Sequence, residues 1–164
     1  MLRRVAKTVP VPVLFKEFVL DSIQVDLARA AGASMVLLLV RALSVRTLRQ
    51  LIAACEARGL APVVEAANAK EVTIAAESGA QIIGVNARDL KTFRVEPRAA
   101  LKALDEVPKG RIRVFMSGVS TTAELARVAA TSTDAVLIGS SLMGAANPGR
   151  KLASLLGGLQ PWPS

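Results

Sequence analysis

Lys16, Glu65, Asn86, Ser117 and Ser140 are the residues of this chain whose types and positions could do chemistry. Each stands just beyond a short apolar run: residues 11–15, 60–64, 81–85, 112–115 and 135–138. A lysine that ends a buried run sits where strand becomes loop, so its ammonium is expected to be partly desolvated. An ammonium near a carboxylate can pass a proton, and a carboxamide can orient a polar substrate. The chain has no histidine and one cysteine, which excludes histidine-based triads and transition-metal centres of the usual ligand types. Acid–base work therefore falls to Lys, Asp or Glu, and neither a metal nor a cofactor is expected.

Ser117-Gly118 and Gly139-Ser140 close the last two apolar runs. Small residues there let backbone N–H groups approach an anion, and a helix start directly beyond adds a favourable dipole. Either pair alone reads as an ordinary turn. Together, on the last two strands of a βα series, they read as a phosphate site. Arg41 also follows a strand, and it reads as a solvated loop charge.

The elements that position these residues alternate regularly. Strands are expected at residues 11–15, 35–40, 60–64, 81–85, 112–115 and 135–138. The helices between them carry start signals: Asp21 with Gln24, Ser44, Asn68 with Glu71, Pro97, and Thr121 with Glu124. The first of these helices shows Ile23, Leu27, Ala30 and Ala31 at helical spacing, and the next shows Leu48, Leu51, Ile52 and Cys55. Cys55 on that face reads as a buried structural thiol. A last helix covers residues 148–156, and residues 157–164 read as a frayed tail. Strand and helix thus alternate six times, which implies α/β architecture with an all-parallel sheet in a single domain, residues 1–164. In such folds the ligand lies at the carboxyl ends of the strands, where the polar residues stand.

Composition narrows the class further. Hydrophobic residues make up 52% of the 164 residues and charged residues 21%, a globular balance. The longest apolar run, residues 35–40, is too short for a membrane span. The basic start Met1-Leu2-Arg3-Arg4 has no apolar core behind it and makes a poor signal peptide. A cytoplasmic protein without a membrane partner is expected. The net charge of +8 could suit nucleic acid, but aromatics are only 3% and no dense basic run or stacking platform exists. Steering of an anionic small molecule fits the charge instead.

Specific motifs then point to a family. Pro12-Val13-Leu14-Phe15-Lys16-Glu17-Phe18, Val64-Glu65-Ala66, Gly84-Val85-Asn86-Ala87-Arg88-Asp89-Leu90, Ser117-Gly118 and Leu137-Ile138-Gly139-Ser140-Ser141-Leu142-Met143 together resemble indole-3-glycerol-phosphate synthase. The resemblance covers residues 2–156. It implies a phosphorylated small-molecule substrate and a decarboxylating ring closure in tryptophan biosynthesis, acting on carboxyphenylamino-deoxyribulose 5-phosphate. By the same resemblance Lys16 acts as general acid on the substrate carbonyl, Glu65 assists proton transfer and Asn86 orients the substrate. Phe18 packs on the anthranilate ring, while Arg88, Ser117, Gly118, Leu137, Gly139 and Ser140 line the substrate or its phosphate.

The family's barrel has eight strands in roughly 250 residues. What this chain carries corresponds to the third to eighth strands, so an incomplete TIM-type barrel of about six strands is expected. The first-strand lysine and glutamate of the family have no counterpart here, and its seventh-strand glutamate falls on Met116. Met116 reads as core filler. Two sheet edges would be left open, with Pro10 and Pro12 blunting one of them. Pairing with a second copy or a complementing chain follows as an expectation. The alternative function is a non-catalytic or partner-dependent barrel that binds a phosphate ester.

Overall fold

The computed structural model describes residues 1–89 and 92–157. Leu90 of the Asn-Ala-Arg-Asp-Leu motif and residues 158–164 of the expected tail lie outside the described residues. Six parallel strands form one sheet in chain order: β1 (Leu14–Phe15), β2 (Met35–Leu39), β3 (Ala61–Ala66), β4 (Ile82–Asn86), β5 (Ile112–Met116) and β6 (Ala135–Leu137). Helices α1 (Leu2–Thr8), α2 (Ser22–Ala30), α3 (Val45–Ala57), α4 (Ala69–Glu77), α5 (Pro97–Asp105) and α6 (Thr122–Ala129) alternate with them. A short α7 (Ser140–Met143) and α8 (Pro148–Leu156) follow β6. The result is an incomplete TIM-type fold, a curled half-barrel with helices on its convex side.

Local chemistry starts the helices where the sequence indicates. Asp21 and Thr121 each complete a reciprocal capping box, with Gln24 and Glu124 respectively. Ser44 and Asn68 accept from the backbone N–H groups of Thr47 and Glu71. Each cap satisfies a donor that the first helical turn leaves without a partner.

Strand alternation divides the core into two layers. Val36, Leu38, Val64, Ile83, Val85 and Phe115 face the helices and join Val25, Ala28, Leu48, Cys55, Val72 and Leu104. Burial pushes the Cys55 thiol up to about 11, as suits a structural cysteine. On the concave side Leu37, Leu39, Val63 and Met116 form a second cluster, flanked by Leu14, Met35, Ile82, Val114 and Leu137. Met116 is core filler, as expected: it is 1% exposed and lies across Gly84. A Cβ built on Gly84 would collide with the Met116 Cε.

The structure corrects the sequence reading of β1 and of α2. β1 pairs with β2 only through Leu14 and Phe15, so residues 11–13 are not strand. The Val13 carbonyl still accepts from Ser34 and Met35, but no residue before Leu14 is paired as strand. On α2 the buried residues are Val25 and Ala28, whereas Ile23 and Leu27 are about 60% exposed. Their helical spacing is real, but the stripe they form faces away from the sheet.

Gly84→Ala should destabilise the protein by about 1–3 kcal/mol, since Met116 must leave its rotamer to admit a methyl group. Chemical denaturation of Gly84→Ala, Met116→Ala and the double variant should reveal strong non-additivity, because both changes act on one volume.

Candidate active site

Parallel pairing sends every strand's carboxyl end to one rim, and the register there brings the candidate residues together. Leu39 of β2 pairs with Glu65 of β3, which pairs in turn with Gly84 of β4. Asn86 lies two residues beyond Gly84 on the same face, opposite Met116. Lys16 enters from the β1 side and places its Nζ 3.4 Å from Glu65 Oε2. Asn86 Nδ2 donates to Glu65 Oε1 at 2.9 Å, and Asn86 Oδ1 accepts from the backbone N–H of Arg88 at 3.0 Å. Lysine, carboxylate and carboxamide therefore form one connected chain.

Burial within this chain is uneven. The Glu65 side chain is 6% exposed, whereas that of Lys16 is 45% exposed. Desolvation falls mainly on the carboxylate, while the lysine, expected to be partly desolvated, keeps nearly half of its side-chain surface open. The cause lies in the layout: Glu65 issues from the middle of the sheet, while Lys16 follows a two-residue edge strand. A buried carboxylate needs partners on both oxygens, and Glu65 has them.

Two cavities meet at Lys16. The smaller, of about 210 Å³, is lined by Lys16, Glu17, Phe18, Leu37, Leu39 and Glu65. Phe18 stands at its mouth, 62% exposed. The larger, of about 560 Å³, has Lys16, Arg88, Ser117, Gly118, Leu137, Gly139 and Ser140 in its wall. All the sequence-derived site residues thus border one or both cavities or, for Asn86, bond directly to Glu65. A further cavity of about 580 Å³ between α5 and α6 holds none of the acid–base residues.

The floor of the larger cavity is built from unusual backbone. Ser117 and Gly118 both take left-handed conformations, with φ of 68° and 75°. The Ser117 N–H is tied to the Leu137 carbonyl at 3.2 Å. A side chain at Gly118 would meet Val95 Cγ1 at 2.6 Å, so both space and dihedral require glycine there. Gly139 opens α7, whose first N–H groups, on Ser140 and Ser141, have no acceptor within the helix. The sequence reading missed α7, which is too short to show a period.

It also missed how the rim loops are held. Arg41, read as a solvated charge, lies 3.5 Å from Glu71 Oε1 and 3.8 Å from Asp89 Oδ2. Glu124 accepts from the Ser120 N–H and hydroxyl at 2.8 Å each and from the Thr121 N–H at 3.0 Å. These bonds fix the turn that follows Gly118. They also hold the Glu124 carboxyl down at about 2, with Ser120 the main cause.

Fold and site together define a parallel α/β-barrel protein with a lysine–glutamate–asparagine cluster beside a glycine- and serine-lined pocket. The family model for indole-3-glycerol phosphate synthase matches residues 1–155, and the chain belongs to that family. It is 44% identical over 147 residues to the indole-3-glycerol phosphate synthase of Exiguobacterium sibiricum, covering 90% of this chain and 57% of that one. The enzyme of Aquifex aeolicus is 39% identical over 158 residues, covering 95% of this chain and 62% of its own. This chain spans little more than half the length of these curated relatives. Among solved structures, 3-hexulose-6-phosphate synthase from Salmonella typhimurium superposes with a TM-score of 0.83 at 22% identity, covering 96% of this chain and 78% of that one. That likeness concerns the fold alone.

Among the described residues no helix is long and apolar enough to cross a membrane, and no group of three or more His, Cys, Asp or Glu could hold a metal ion.

The Glu124 contacts give a pH-dependent outcome. A carboxyl held at about 2 when folded, against an ordinary 4.5, stabilises the fold fully above pH 4.5 and loses that contribution as pH falls toward 2. The stability gap between wild type and Glu124→Ala should therefore be widest above pH 4.5 and close on acidification, as read by urea unfolding across that range.

Proposed function

We propose that this protein acts as its relatives' name indicates, closing the indole ring of carboxyphenylamino-deoxyribulose 5-phosphate with loss of CO2 and water. The observation that carries this reading is the Lys16–Glu65–Asn86 contact chain on the rim between the two cavities. Lys16, charged and reachable from solvent, gives its proton to the substrate carbonyl oxygen as the ring carbon attacks. Glu65 stabilises the ammonium and moves the proton in the later elimination, with Asn86 fixing its orientation. The aromatic end of the substrate lies in the smaller cavity against Phe18. Its phosphate lies in the larger one, against the backbone of Ser117, Gly118, Gly139 and Ser140, with Arg88 and Leu137 completing the wall. The chemistry needs no cofactor, and a cytoplasmic setting suits a phosphorylated biosynthetic intermediate.

The test is conversion of the carboxyphenylamino substrate to an indole-fluorescent product. Lys16→Ala should abolish turnover, and Glu65→Gln should lower kcat by about 10²-fold or more. A second reading, a phosphate-ester-binding barrel without catalysis, is favoured by Met116, whose apolar side chain fills the inner layer beneath the rim. Calorimetric binding of the substrate, with turnover no higher in wild type than in Lys16→Ala, would select that reading.

The open edges at β1 and β6 fit a second copy or a complementing chain that extends the sheet. Beside β1 the residues Leu20, Ile23 and Leu27 are all more than half exposed, an apolar strip such a partner would cover. Analytical ultracentrifugation should show a dimer or larger species. A monodisperse monomer resistant to proteolysis would remove this part of the proposal.

A further inference from the structure

We infer that Arg41 is a positioning residue for the Glu65–Asn86 pair, acting through a closed ring of polar contacts that links three rim loops. This inference rests on the proposed use of Glu65 and Asn86. The ring can be followed atom by atom. Glu65 Oε1 accepts from Asn86 Nδ2 at 2.9 Å, and Asn86 Oδ1 accepts from the Arg88 N–H at 3.0 Å. The next residue, Asp89, meets Arg41 Nη1 through Oδ2 at 3.8 Å. Arg41 Nη2 lies 3.5 Å from Glu71 Oε1, and Glu71 Oε2 accepts from the Ala67 N–H at 2.8 Å. Ala67 is two residues beyond Glu65, so the ring returns to the strand where it began.

Asp89 and Glu71 each make a further bond that stiffens their own loop. Asp89 Oδ1 accepts from the Thr92 N–H at 2.7 Å and from its hydroxyl at 3.1 Å. Glu71 sits in the first turn of α4, and Asn68 caps that turn by accepting its N–H at 3.0 Å. Arg41 itself comes from the short turn Val40–Ala42 directly after β2. Its side chain keeps only 25% of its surface open. Singly, ion pairs of this exposure and length stabilise little. Their place in the ring matters more: a planar guanidinium can span two carboxylates on neighbouring loops, which a lysine ammonium cannot match. Arg41 thereby sets the spacing between the β3–α4 and β4–α5 loops. That spacing in turn fixes the direction from which Asn86 meets Glu65 and the path of the Arg88 backbone.

The experiment compares wild type, Arg41→Gln, Arg41→Lys and, as a control for lost charge alone, Arg46→Gln on the exposed face of α3. Two readouts are taken: steady-state kinetics with the carboxyphenylamino substrate, and the NMR signals of the Asn86 side-chain amide and the Arg88 backbone amide. In Arg41→Gln, kcat should fall about tenfold or more with KM changed less than about threefold, as expected for a small misplacement of reacting groups. The Asn86 δ-amide should move upfield and exchange faster while the melting temperature stays within about 4 °C of wild type. Arg41→Lys should fall between the two, and Arg46→Gln should match wild type. If wild type shows no turnover, the proposed activity fails, and the amide signals alone decide the role of Arg41. Asn86 and Arg88 signals unchanged in Arg41→Gln, or equally disturbed in Arg46→Gln, would overturn the inference.

Discussion

A carboxylate buried in the middle of an apolar sheet is the constraint on which the rim depends. Glu65 is 5% exposed, with Leu39 and Gly84 as its register neighbours. An ionised group in that position is costly unless both oxygens are bonded. Its partners come from the two sides of the sheet: Lys16 from beyond the end of β1, two strands away, and Asn86 from β4 next to it. Meeting this demand fixes the register of β3 against β4, since a slip of one residue would turn Glu65 into the helix layer. The same demand leaves the Lys16 ammonium at the cavity junction, where it can reach both solvent and a ligand.

The concave layer shows how an incomplete barrel can still have an interior. Met116 of β5 reaches across to Gly84 of β4 and occupies the space that the glycine leaves. An unbranched, adaptable side chain opposite a glycine fills an irregular space well. Leu37, Leu39 and Val63 join Met116 in this apolar floor. Above that floor the left-handed pair Ser117-Gly118 turns the chain sharply, and Glu124 holds the turn by its bonds to Ser120 and Thr121.

Much of this was legible in the sequence, for physical reasons that can be named. Capping side chains act within three residues, so Asp21 with Gln24 and Thr121 with Glu124 announce their helices without knowledge of the fold. Parallel strands buried on both faces read as unbroken apolar runs, which located β2 almost to the residue. The family motifs supplied the candidate site residues, of which Lys16 and Glu65 lie in contact. What escaped was set by distant neighbours. The buried face of α2 is decided by which elements cover it, so Val25 and Ala28 go inward while the larger Ile23 and Leu27 do not. The environment of Arg41 depends on loops 30 and 48 residues away in the chain. The exposure of Lys16 follows from β1 being a two-residue edge, which its apolar run of five concealed.

That edge has a directional character. Val13 turns its carbonyl toward β2, accepting from Ser34 and Met35 at 2.9 and 3.2 Å. By alternation, residues 10, 12 and 14 aim their main-chain groups outward. Two of those three are prolines, so the outward row has lost most of its donors. A head-to-tail stack, β6 of one molecule against β1 of the next, would run on as an open polymer unless the curl of the sheet closed it into a ring. The prolines withhold the hydrogens such a polymer would need.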